Sequence, residues 1–232
     1  MREIVFDTET TGLNPLGGDR MVEIGCVEIL NRVETGRHYH AYFYPERDMP
    51  FEAEMVHGLT NSFLSDKPLF GDKADELLEF IEDCPLVAHN ATFDFGFLNT
   101  ELERCGRPGV PMSRMVDTLS LARSRHPGAK HSLDALCMRF GNDRSHRVKH
   151  GALLDAQLLA QVYVELTGGR QIGLGLVAEA GTVAVEQSAG PITIREPRPA
   201  RPHAPFAAEL ERHRAFIAKL VNPLWQRFAP DY

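Results

Sequence analysis

Four carboxylates and one histidine stand out by type and spacing. Asp7 and Glu9 alternate in DTETTG, where the short apolar run Ile4 to Phe6 meets turn-forming residues. Asp94 follows VAHNATF, and His150 and Asp155 lie in HGALLDAQ at the head of a long apolar pattern. Side chains two apart on a strand share a face, so Asp7 and Glu9 project together from the strand's end. Two carboxylates about 4 Å apart repel by roughly 4 kcal/mol at an effective dielectric near 20. Such a cluster raises its own pKa values or takes up a cation. An oxygen-only ligand set suits a hard divalent ion, Mg²⁺ or Mn²⁺, better than zinc. Taken singly each acid has an ordinary account: Asp94 can cap a helix, Asp155 can face water, and a D-x-E after a strand is common. Their joint placement on loops at a sheet's end, where α/β proteins gather ligands, points to one site.

His150 and Asp155 are five residues apart, about 140° on a continuous helix of 3.6 residues per turn. Both face one site only if His150 sits in the loop before the helix, with Gly151 at its start and Asp155 on its first turns. A histidine held off the helix accepts a proton from water near neutral pH, which is the work of a general base.

The surrounding pattern predicts the elements that carry these residues. Ile4 to Phe6 reads as a buried strand, and MVEIGCVEIL and HYHAYFYP read as two more, joined by a polar NRVETG turn into an antiparallel meander. DKADELLEFIED, 72–83, carries Ala74, Leu77, Leu78 and Ile81 at helical spacing with Asp72 as cap. PLVAH is a short strand, FDFGFLNTELERCG a helix closed by Gly106, and 132–140 and 152–166 are further helices. Strands first and helices after them indicate an α/β fold, a mixed sheet covered by helices.

The 232 residues suffice for one good core and an appendage, and 43% hydrophobic with 25% charged residues is ordinary for a globular chain. With no secretory pattern and no run of about 18 apolar residues, a soluble cytoplasmic protein with no membrane contact is expected. Cys26, Cys84, Cys105 and Cys137 form no C-x-x-C pair and are expected as reduced thiols. The net charge of −7 argues against a broad basic face tracking a long duplex. Composition changes near Gly168. Pro191, Pro197, Pro199, Pro202 and Pro205 favour an extended linker, and Leu210, Ile217, Leu220, Val221 and Leu224 mark one side of a last helix that Pro223 ends or bends.

In their order and spacing, DTETTG, VHGLT, HNATFDFGFLN, VDTLSLAR, HSLDALC and HGALLDAQLLAQVY resemble the epsilon (proofreading) subunits of bacterial DNA polymerase III, a family of DEDDh-type 3′→5′ exonucleases. The resemblance covers about residues 1–168. It implies a ribonuclease H-like fold with a mixed five-stranded sheet flanked by helices, a flexible C-terminal extension, and hydrolysis of a single-stranded DNA 3′ end with two Mg²⁺ or Mn²⁺ ions. By the same resemblance Asp7, Glu9, Asp94 and Asp155 match the metal-binding acids, His150 the general base, and Glu52 and His57 positions that contact the terminal nucleotide. Thr10, Asn90 and Phe93 are helper candidates. Phe93 can stack on a base, although a phenylalanine beside a helix start also suits a core.

The expected organisation is an exonuclease domain over 1–170, a clamp-binding motif and Pro-rich linker over 171–205, and a polymerase-binding segment over 206–232. Gln171, Leu174 and Leu176 in QIGLGL fit the Q-x-x-L-x-L form of sliding-clamp-binding peptides, or are incidental leucines of a glycine-rich linker. The last segment resembles the part by which epsilon subunits hold the polymerase alpha subunit, or folds back on its own domain. A DEDDh oligoribonuclease or RNA-trimming enzyme shares the acids but has no need of such a tail, and a non-catalytic scaffold between clamp and polymerase has no need of the acids.

Overall fold

The first strand, β1 (Arg2–Thr10), is the centre of the sheet, and every residue from Glu3 to Phe6 is buried because both faces are covered. β2 (Met21–Leu30) pairs antiparallel with β1, and β3 (Val33–Tyr42) antiparallel with β2. On the other side β4 (Leu86–Ala88) and β5 (Met115–Asp117) run parallel to β1, giving the order β3-β2-β1-β4-β5. This is the expected mixed five-stranded sheet. The computed structural model describes residues 1–143, 149–169 and 205–220. The chain divides into two units, Met1–Val177 and Ala178–Tyr232.

The helices of the first unit are α1 (Phe51–His57), α2 (Asn61–Leu64), α3 (Phe70–Ile81), α4 (Thr92–Arg104), α5 (Thr118–Arg125), α6 (Leu133–Phe140) and α7 (Ala152–Leu166). Ile4 and Phe6 of β1 pack with Leu77, Phe95 and Leu98 of α3 and α4. Val5, on the opposite face, packs with Ala156, Leu159 and Ala160 of α7, whose far side holds Leu158 and Val162 against Leu136 and Cys137 of α6. The alanines keep α7 close to the sheet, and Gly25 of β2 lets it close further. A Cβ at Gly25 would lie 2.3 Å from the Leu153 Cα. Gly25 stands opposite Asp7, so this approach brings the start of α7 over the acidic end of β1.

Several expectations move. β1 stays paired through Thr10, with a bulge between Glu9 and Thr10, so Asp7 and Glu9 lie within the strand and not beyond it. The turn expected over NRVETG shrinks to Asn31 and Arg32, both at positive φ as a two-residue hairpin requires. Val33 already belongs to β3, an exposed edge strand with no apolar rhythm to announce it. α3 starts at Phe70, and Asp72 caps it from within by accepting from the Leu69 N–H at 3.0 Å. α4 ends as expected: Gly106 has φ +71° and the Arg107 N–H donates to the Leu102 carbonyl at 2.8 Å. α1, α2, β5 and α5 were not expected from periodicity.

None of the four cysteines is in a disulfide, and burial pushes the Cys26 thiol up. No helix among the described residues is long and apolar enough to cross a membrane. In the second unit α8 (Ala207–Ile217) begins with Glu209 accepting from the Phe206 N–H at 3.0 Å. Gln171, Leu174 and Leu176, most of the 171–205 segment, and Val221, Pro223 and Leu224 lie outside the described residues.

Candidate active site

Asp7, Glu9, Asp94, His150 and Asp155 line one pocket of about 270 Å³. Three of the acids are buried: Glu9 at 8%, Asp94 at 3% and Asp155 at 2% relative exposure. Carboxylates cost several kcal/mol to bury charged unless a partner compensates them. Asp94, on the first turn of α4, accepts a 2.7 Å hydrogen bond from the Thr8 hydroxyl at Oδ1. Burial nevertheless pushes its carboxyl up to about 7, with the Thr8 bond opposing.

Asp155 sits on the first turn of α7, where its N–H donates to the Gly151 carbonyl at 2.9 Å. Gly151 is the extended N-cap residue and His150 precedes it in the loop. There the imidazole Nδ1 lies 3.1 Å from Asp155 Oδ2, while the His150 backbone N–H donates to the Val56 carbonyl of α1 at 3.3 Å. Ligand atoms of Glu9, His150 and Asp155 come within 4.8 Å of one another. A donor set of buried carboxylates, one of them pushed up to about 7 by burial, fits a hard divalent cation.

A second cleft, about 470 Å³, shares Thr8, Glu9 and Phe93 with the acid pocket and is further lined by Thr10, Leu13, Glu52, Val56 and His57. Glu52 and His57 come from the two ends of α1, and His57 is buried. Its Nδ1 accepts from the Leu59 N–H at 3.0 Å, which leaves the ring proton on Nε2, a buried atom that faces the Thr10 backbone without a well-aligned hydrogen bond. Burial holds the His57 pKa below its ordinary value, with the Thr10 backbone opposing. The Thr10 hydroxyl donates to the Gly12 carbonyl at 2.6 Å, so it shapes the turn after β1. Phe93 packs on Phe97 with ring centroids 5.0 Å apart while lining both hollows. Asn90 is not brought to either hollow. It stands at φ +62° in a separate groove, its backbone N–H donating to Asp117 Oδ1 at 3.0 Å.

Three residues around the site went unnoticed in the sequence. Thr8 orients Asp94, which strand alternation signals, since Thr8 must face away from Asp7 and Glu9 toward α4. Asp117 caps α5 through the Leu119 N–H and also holds the Ala91 N–H at 3.2 Å, fixing the start of α4; an Asp before a helix was the available signal. Glu23, directly across from Glu9 and buried, lies with Oε1 2.7 Å from His40 Nε2 and carried no signal beyond its alternation in β2.

This fold and pocket define a class. A family model described as "Exonuclease" matches residues 4–163. The solved structure of Exonuclease X in complex with 5′ overhanging duplex DNA covers 71% of this chain and 90% of its own, at 26% identity and a TM-score of 0.54. The nuclease domain of 3′hExo, a DEDDh family member bound to rAMP, shares the fold with a TM-score of 0.62 at 16% identity, covering 72% of this chain and 91% of its own. A curated relative from Rickettsia felis, DNA polymerase III subunit epsilon, is 48% identical over 228 residues, 96% of this chain and 98% of that protein. The chain belongs to this exonuclease family and, within it, to the epsilon subunits of DNA polymerase III.

Proposed function

We propose that the protein is a proofreading 3′→5′ exonuclease that removes the 3′-terminal nucleotide of a single DNA strand as a nucleoside 5′-monophosphate. The observation that carries this reading is the convergence of Asp7, Glu9, Asp94, His150 and Asp155 on one pocket beside a cleft wide enough for a nucleotide. Asp7, Glu9, Asp94 and Asp155 would hold the cations. Two bound Mg²⁺ or Mn²⁺ ions would lower the pKa of a water and stabilise the leaving 3′ oxygen.

The chain's own residues do the rest. With Nδ1 turned to Asp155, His150 takes the water's proton at Nε2. The terminal base enters the cleft between Leu13, Val56 and Phe93, Glu52 holds the sugar, and His57 offers Nε2–H to an acceptor on the nucleotide. Thr8 and Asp117 keep Asp94 and the head of α4 in place.

The tail ties the enzyme to its polymerase. Phe206 at the N-cap and Phe216 within α8 are 78% and 59% exposed, apolar surface suited to the polymerase alpha subunit, and 171–176 is the sliding-clamp peptide. Tethering at an effective concentration around millimolar explains how an acidic protein acts on DNA with little affinity of its own. Truncation at Gln187 should abolish polymerase capture; unchanged capture removes that role.

The deciding experiment is incubation of a 5′-labelled single-stranded oligonucleotide with Mg²⁺, Mn²⁺ or chelator. Stepwise shortening of the labelled strand from its 3′ end with either ion and none with chelator is expected, and DNA should be cut faster than RNA. An intact oligonucleotide in all three ends the reading, and a preference for RNA moves it to an RNA-trimming enzyme.

A further inference from the structure

The chain carries a net charge of −7, yet between Asp117 and Asp134 there is no acid, while Arg123, Arg125 and Lys130 supply cations and His126 and His131 imidazoles. This stretch is the whole of α5 and its connection to α6. Arg123, Arg125 and Lys130 form no ion pair among the described residues. A groove of about 560 Å³ runs along it, lined by His89, Asn90, Leu119, Arg123, His131 and Ser132.

The groove's position gives the charge a meaning. It shares His89 and Ser132 with the acid pocket, whereas the nucleotide cleft shares Thr8, Glu9 and Phe93 with that pocket. The cleft and the groove have no lining residue in common, so the three hollows follow one another with the acids in the middle. The acids nearest the groove do not cancel it. Asp117 stays ionised, held by the N–H groups of Asn90, Ala91 and Leu119 and by the Ser120 hydroxyl, but it is one negative charge against Arg123, Arg125 and Lys130, and Asp134 lines the acid pocket.

A strand whose last nucleotide fills the cleft and whose scissile phosphate lies at the acids must leave on the remaining side. Each further phosphate brings a negative charge that an acidic protein has to meet locally. We propose that this groove binds the sugar-phosphate backbone on the 5′ side of the bond being cut, with Arg123, which lines it, as its principal cation and Lys130, one residue before the lining His131, adding charge from outside the lining. Asn90, held in its left-handed conformation by Asp117, lies along that path. The inference rests on the exonuclease reading above.

The test compares two substrates across Arg123→Gln, the Arg123→Gln/Lys130→Gln pair, and Arg139→Gln, a charge-matched control on the exposed last turn of α6. One substrate is a single-stranded oligodeoxynucleotide. The other is the p-nitrophenyl ester of thymidine 5′-monophosphate, which offers a phosphodiester with no strand behind it. The pair should raise KM for the oligonucleotide on the order of tenfold and leave kcat within about twofold. The slope of log KM against log salt should shrink by roughly 0.7 for each phosphate that is no longer neutralised. Ester hydrolysis and the control should match the wild type. An unchanged oligonucleotide KM, or equal loss on both substrates, overturns the proposal. A wild type that hydrolyses neither substrate with Mn²⁺ overturns the exonuclease reading itself.

Discussion

His150 Nδ1 and Asp155 Oδ2 stand 3.1 Å apart across the extended N-cap of α7, one residue 48% exposed at the pocket mouth and the other 2% exposed at its floor. The short non-helical step at Gly151 lets residues five apart in sequence meet, which a continuous helix forbids. The Val56 carbonyl pins the His150 backbone to α1, so the loop that offers the base is also fixed to the helix that carries Glu52 and His57.

This arrangement separates proton transfer from cation binding. His150→Ala should lower kcat by about 10²–10⁴, the usual contribution of a general base, while calorimetric Mn²⁺ affinity stays within a few-fold of wild type. Asp155→Ala should lose both. Because His150 shares a possible ligand set with Glu9 and Asp155, loss of Mn²⁺ binding in His150→Ala would make it a ligand and not a base.

Asp94 sets a pH dependence whose sign is fixed. Its folded pKa of about 7 lies above the ordinary 3.8, so between those values the folded chain holds more protons than the unfolded one. Stability without metal therefore falls as pH rises from about 4 and levels off above about 7. In chelator, Asp94→Asn should melt with the wild type near pH 4 and several degrees above it at pH 8. Mn²⁺ must displace the proton, so titration at pH 6 should release about one more proton than at pH 8.5. Equal proton release at both values contradicts the shift.

The core of the fold was legible because its elements are buried on a rhythm. α7 appears at the expected 152–166, since apolar residues on two sides of it meet the sheet and α6. Asp7, Glu9, Asp94, His150 and Asp155 could be assembled from strand and helix spacing. What stayed hidden has little apolar signature. In α1, Phe51 and Met55 are 72% and 60% exposed, so FEAEMVH shows no buried stripe, and Glu52 and His57 were placed by resemblance alone. β5 is only three residues long, and β3 is an exposed edge. Asn90, expected as a helper in substrate binding, lines the neighbouring groove, where its backbone N–H is held by Asp117.

Gly25 links packing to chemistry. A methyl group there meets the Leu153 and Ala152 backbone at 2.3–2.4 Å, and backbone cannot swing aside as a side chain can. Gly25→Ala should push the start of α7, and Asp155 with it, off β1, costing about 1–3 kcal/mol and reducing kcat/KM roughly 100-fold. Val27→Ala, a cavity on the same face further from the acids, should depress Tm comparably and keep most activity. Equal activity loss in both variants would mean that general destabilisation, not displacement, is the cause.

His57 makes the sharpest case for a ligand in the second cleft. Held neutral by burial, with Nδ1 occupied by the Leu59 N–H, it turns Nε2–H toward the Thr10 backbone without a well-aligned hydrogen bond there. A buried donor left wholly unpaired costs about 1–3 kcal/mol, so one that is poorly paired loses part of that, and a bond to a charged or strongly polar acceptor recovers it on binding. His57→Phe keeps the ring and removes the donor; it also takes the acceptor from Leu59, so folding stability should change little. Oligonucleotide kcat/KM should fall between about 10- and 100-fold, mostly through KM. A variant that melts lower yet turns over substrate at the wild-type kcat/KM would show that the imidazole only supports the Leu59 turn.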